Sequence, residues 1–180
     1  MDGEIPRRPD AGTIVLARDT ATCGDTCGNA GEQVYCLYTI LSMDCSGGRK
    51  MTLNERAEKA VELKTSGGYN CCQAVTGALA DQTGLSGEQL KQVSAGFCAG
   101  MGNLEATCGA LIGAGMIAGL KTEGKGTLKI ARQMQESFLE RCGAITCKDL
   151  KAVTDGKPLC PCEECVRNAV LIYGETMGLQ

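Results

Sequence analysis

Helix-start signatures recur along this chain from residue 52 onward, and they constrain the fold more than any other feature. Thr52-Leu-Asn-Glu55 and Ser86-Gly-Glu-Gln89 are capping boxes, in which the N-cap hydroxyl and the third helical side chain satisfy each other's backbone amides. Asn70, Thr107 and Thr146 are further N-cap candidates, and Pro161 suits a first helical position. Four of these residues are followed at once by a cysteine: Asn70-Cys71, Thr107-Cys108, Thr146-Cys147 and Pro161-Cys162. A thiol in the first helical turn lies near free N–H groups and the positive end of the helix dipole. It should therefore ionise more easily than an ordinary cysteine.

The pattern between these starts is helical. The first helix is expected from Thr52 to about Thr65, stopped by Gly67-Gly68, and the second from Asn70 to near Gly84. The third runs from Ser86 to about Cys98 and the fourth from Cys108 to Leu120. The fifth extends from Leu128 to Arg141, closed by Gly143, and a short one covers Thr146 to Lys151. Pro161 opens the last, beyond a loop at Asp155-Gly-Lys-Pro158. No strand-like alternation competes with this reading. The expected fold is all-α, a compact bundle of about six helices. Gly109, Gly113, Gly115 and Gly119 mark the Cys108–Leu120 helix as the central one, packed closely by its neighbours.

Residues 1–50 differ. They contain Pro6, Pro9, Cys23, Cys27, Cys36 and Cys45, with no helical or alternating period. The expected organisation is an irregular N-terminal segment over 1–50 and a helical domain over 51–180. Gly47-Gly48-Arg49-Lys50 precedes Met51, and its codons can spell a ribosome-binding sequence. Two readings of the segment stay open: translated upstream sequence ahead of a native start at Met51, or a genuine leader too polar to fold. The spacing of its four cysteines matches no metal-binding template.

Composition removes several function classes. The 180 residues carry a net charge of −3 with no basic stripe, and aromatic residues make up only 3%, so a nucleic-acid partner is not expected. The longest apolar segment, Cys108 to Leu120, is too short to span a bilayer, so no membrane insertion is expected. Histidine is absent. That excludes Cys-His nucleophiles, imidazole ligands and c-type haem attachment. Any metal must be held by sulfur, carboxylate or backbone. Thirteen cysteines without an export signal point to a cytoplasmic protein that uses thiols for metal binding or redox chemistry.

Asn70-Cys71-Cys72-Gln73-Ala74-Val75, Gly96-Phe97-Cys98-Ala99-Gly100-Met101-Gly102, Cys108-Gly109-Ala110-Leu111-Ile112-Gly113, Ile145-Thr146-Cys147 and Cys162-Glu163-Glu164-Cys165-Val166 stand in this order. Together they resemble the C_GCAxxG_C_C family, whose name ascribes redox activity to its members. The resemblance covers about residues 52–178. It implies a four-cysteine site at Cys71, Cys108, Cys147 and Cys162, with Cys165 as the alternative to Cys162. Cys72, Cys98, Cys142 and Cys160 are extras on this reading.

Three chemistries remain for the four thiols. The leading one is an iron–sulfur cluster, 2Fe–2S the foremost type, serving electron transfer to a redox partner protein. Helix-start amides suit such an anionic cluster, and the turn Gly100–Gly102 can bring more of them close. The alternatives are a metal-free thiol/disulfide redox protein, in which Cys162 and Cys165 are spaced for a bridge, and a structural zinc module. A homodimer is an open option. No side chain is assigned a catalytic role. Glu105 and Lys148 flank the cysteines and are candidates for orienting a proton and for lowering a thiol pKa.

Overall fold

The computed structural model describes residues 50–179, which lie in the second of two units of the chain, Arg49–Gln180. The N-terminal segment that the sequence suggested to be irregular, with its four cysteines, lies outside the described residues. Seven α-helices occur among the described residues: α1 Leu53–Thr65, α2 Cys71–Ala78, α3 Gly87–Val93, α4 Gly109–Lys121, α5 Thr127–Cys142, α6 Cys147–Leu150 and α7 Cys162–Met177. The fold is all-α. Its sole sheet among these residues is a two-stranded hairpin, β1 Val153–Thr154 and β2 Lys157–Pro158. The hairpin falls where the sequence suggested a plain loop. Asp155 (φ 54°) and Gly156 (φ 77°) take the left-handed conformations that an Asp-Gly turn favours.

The caps do what their sequences dictate. Thr52, Asn70 and Ser86 each form a complete capping box, at α1, α2 and α3. Thr146 caps α6 by accepting from the Asp149 amide. Gly143, at φ 81°, ends α5 in the left-handed conformation that spares a glycine the Cβ penalty. Pro161 is the cap residue of α7 rather than its first helical residue, and Cys108 is itself the N-cap of α4.

Two helices end earlier than their patterns suggest. After Ala78, α2 gives way to a 3₁₀ turn at Ala80–Gln82, which carries Asp81 to the buried Arg56 of α1. Arg56 grips Asp81 with both guanidinium nitrogens, Nη2 lying 2.8 Å from Oδ2. Helix α3 stops at Val93 because Ser94 is buried and its hydroxyl donates to the Leu90 carbonyl at 2.5 Å. The α2 cap then takes up carbonyls at that end: Asn70 Nδ2 donates to Ala95 O at 3.0 Å, and Gln73 Nε2 to Lys91 O at 2.8 Å.

Helices α4 and α7 share the centre. Helix α7 packs on α1, α2, α4 and α5, and α4 packs on α2, α5 and α7. Leu79, Leu90, Ile117, Met134, Phe138 and Tyr173 are fully buried in the core. Each such side chain contributes about 1.5–3 kcal/mol of hydrophobic stabilisation. The Gly109/Gly113 pair is what lets α2 come close. A Cβ at Gly109 would stand 2.2 Å from the Phe97 carbonyl oxygen, and one at Gly113 2.9 Å from that of Cys72. Gly115 faces open space, so only half of the glycine pattern serves packing.

Candidate metal and thiol centre

The four helix starts converge through backbone pairing as well as helix packing. Thr107 and Thr146 form an isolated antiparallel bridge. Around it the Cys108 amide donates to Ile145 O at 2.8 Å, and the Cys147 amide to Ala106 O at 3.0 Å. These two bonds fix the starts of α4 and α6 side by side. The glycine turn lies against them. It winds back on itself, with Ala99, Gly100, Met101 and Leu104 all at positive φ. The Gly102 amide is spent on the carbonyls of Cys98 and Ala99. Gly100 serves instead by its lack of a side chain, since a Cβ there would lie 2.9 Å from the Cys147 Cβ.

Cys71 and Cys162 complete the convergence. Their thiols hydrogen-bond each other, and Cys71, Cys108, Cys147 and Cys162 lie close enough to influence one another's ionisation. Cys108 and Cys147 each feel the charge of Cys162, but among the described residues the sulfurs gathered closely enough for one metal ion are those of Cys142, Cys160 and Cys165 rather than these four. Cys108 and Cys147 are buried; Cys71 and Cys162 are half-buried. All nine cysteines of the described residues are free thiols.

The thiols do not ionise uniformly. The hydrogen bond from Cys71 lowers Cys162 to about 6 against the opposing effect of burial, and Lys151 and Lys64 assist. Cys71 is raised by the same bond and by burial. Cys108 is lowered, first by a hydrogen bond from Cys165 and then, against desolvation, by the amides of Ala110 and Leu111. Its sulfur makes no capping bond of ordinary geometry, yet it faces those amides. Cys147 is raised by burial, which outweighs Lys151. Helix-start amides thus contribute to the acidity of Cys108 alone. Cys162 owes its acidity to Cys71 and two lysines; Cys71, through its bond to Cys162 and burial, and Cys147, through burial, are raised in spite of their positions.

The flanking charges also resolve differently from their sequence positions. Glu105 and Lys148 pair with each other at 3.0 Å on the surface. The lysines that favour thiolate are Lys64, near the end of α1, and Lys151, just after α6. Neither stands beside a cysteine in sequence, so no local signal marked them.

A second group of thiols adjoins the first. Cys142, Cys160 and Cys165 are all buried, and their sulfurs lie within 4.8 Å of one another, placed to hold a metal ion. Cys165 Sγ donates to the Cys160 carbonyl at 3.6 Å and lies near enough to Cys108 for each to shift the other's ionisation, which links the two groups. Cys142 is lowered to about 7, chiefly by the bond from Cys165, and burial pushes Cys160 up to about 12. Cys165 was expected only as a substitute for Cys162, and Cys142 and Cys160 as extras. The clustering of Cys160, Cys162 and Cys165 was a visible hint, but Cys142 arrives from a different helix. Cys72, raised to about 12 by burial, packs against Met116 with 3.7 Å between their sulfurs.

No helix among the described residues is long and apolar enough to cross a membrane. No curated protein and no solved structure matches the chain. Residues 69–176 match the model of a family described as "Putative redox-active protein (C_GCAxxG_C_C)". With that match over more than half its length, and with its cysteines gathered at the starts of packed helices, the chain belongs to the C_GCAxxG_C_C family.

Proposed function

We propose that Cys71, Cys108, Cys147 and Cys162 hold an iron–sulfur cluster, 2Fe–2S, and that the protein passes electrons to a redox partner protein. The observation that supports this reading is a thiol at each of four helix starts, each within electrostatic reach of another of the set, in a chain without imidazole. The donor set fits the group. Soft thiolates suit iron–sulfur clusters. The Ala110 and Leu111 amides and the Lys64 and Lys151 ammonium groups would offset the negative charge of four sulfur ligands. Free thiols in this number belong in a reducing compartment, which agrees with a cytoplasmic site of action.

The test is anaerobic purification followed by assays of iron and acid-labile sulfide and by the visible thiolate-to-iron absorption. Stoichiometric iron and sulfide, lost on Cys147→Ser, is the expected result. Colourless protein that carries only zinc, or that takes up no iron and sulfide on reconstitution, overturns the reading; the zinc outcome would support a structural four-thiolate module.

The Cys71–Cys162 contact favours one second reading, a metal-free dithiol centre. These half-buried thiols shift each other's ionisation, and Cys162 is the more acidic. Cys162 thiolate would attack a partner disulfide, and Cys71 would then resolve the mixed disulfide. Two electrons pass to the partner, which leaves as a dithiol after taking one proton from Cys71 and one from solvent. Reversible loss of two free thiols in metal-free protein, mapped to these residues, would favour it.

A further inference from the structure

We propose that Cys142, Cys160 and Cys165 form a second metal site, a three-thiolate pocket for one soft, closed-shell ion of the copper(I) or zinc(II) kind. The three sulfurs already lie within 4.8 Å of one another. A metal–thiolate bond of about 2.3 Å places sulfurs of one coordination shell roughly 3.8 Å apart, so a shift of about an ångström completes the geometry. Three thiols also fit a shared ion better than a disulfide, which would leave the third sulfur buried without its partner. No carboxylate belongs to the cluster, which rules against magnesium, calcium and manganese as occupants.

The surroundings hold these sulfurs in place. Asn168 Nδ2 approaches Cys142 Sγ at 3.6 Å, and the Cys160 amide donates to Leu150 O at 3.0 Å. Gly143 leaves room for Leu159, whose Cδ2 would stand 3.3 Å from a Cβ at that position. The end of α5 therefore closes tightly over the segment that carries Cys160. Such supporting contacts orient ligands and tune their affinity. Copper(I) is satisfied by three thiolates, and zinc completes four-coordination with a water molecule. The site stands on its own cysteines and does not depend on iron at the neighbouring one.

The test uses the full chain carrying Cys71→Ser, Cys147→Ser and Cys162→Ser, purified anaerobically and metal-free, with helicity checked by circular dichroism. Copper(I) and, separately, zinc(II) are titrated against a chromophoric chelator, and the bound ion is located by peptide-resolved thiol protection. One equivalent is expected at Cys142, Cys160 and Cys165, lost on adding either Cys160→Ser or Cys142→Ser. Asn168→Ala should weaken it about tenfold. Equivalents that neither cysteine substitution changes, for both ions, overturn the proposal. If the triple variant does not fold, the otherwise native chain is compared with its Cys160→Ser variant after iron loading. Loss of one copper or zinc equivalent with iron unchanged supports the site, and no loss overturns it. Iron content is read separately throughout, so failure of the iron–sulfur reading and failure of this one are distinguishable.

Discussion

The four-cysteine group and the three-cysteine group lie next to each other, share the Cys108–Cys165 contact, and are built on opposite plans. Cys71, Cys108, Cys147 and Cys162 each sit at a helix start, and side-chain caps at Asn70 and Thr146 fix the backbone beside Cys71 and Cys147. Cys142, Cys160 and Cys165 come from a helix end, an irregular link and the first turn of α7. The first group reaches toward solvent through Cys71 and Cys162, and lysines attend it; the second is enclosed. The contrast teaches that one residue type can be placed partly open to solvent by helix caps or fully enclosed by packing between distant segments.

The sharpest way to break the comparison is to remove one thiol from each side. Cys147→Ser should abolish nearly all iron and visible absorption, whereas Cys160→Ser should leave both near the native level; iron assay and absorbance decide. Equal loss from the two variants would merge the groups into one site.

Next in size is the acidity of Cys162. In metal-free protein its alkylation rate should rise as pH passes about 6 and level off above neutrality, because the thiolate is the reacting form. Removing the donor with Cys71→Ala should move that midpoint up toward the ordinary value of 9.0. Peptide-resolved alkylation across pH measures both, and an unchanged midpoint would show that the lysines, not Cys71, set it.

Smaller effects probe how the first group is assembled. Gly109→Ala forces a Cβ against the Phe97 carbonyl, 2.2 Å away, and should cost about 1–3 kcal/mol in urea unfolding. Gly115→Ala, facing open space on the same helix, should instead stabilise by about 0.5–1 kcal/mol. Thr146→Ala removes the α6 cap and should cost about 1 kcal/mol by the same measurement. A larger loss there, with iron released, would mean that the Thr107–Thr146 pairing depends on the cap as well as on the backbone.

These outcomes bear on how much of the molecule was readable from its residues alone. The all-α class, the caps at Thr52, Asn70, Ser86 and Thr146, and the glycine stop at Gly143 were legible because each depends on interactions within a few residues. The early end of α3 was not, because it follows from Ser94 being buried against its neighbours. The resemblance picked out Cys71, Cys108, Cys147 and Cys162, each of which stands at a helix start.

By itself, then, the sequence determined the helices, the absence of imidazole, and the placing of a thiol at each of four helix starts. Only the tertiary structure decided which of those thiols are acidic, since burial and the proton of a neighbour from another helix outweigh the local dipole. It alone also decided that Cys142 meets Cys160 and Cys165. That meeting depends on how α5 packs against α7, and packing between distant segments leaves no mark at any one position of the chain.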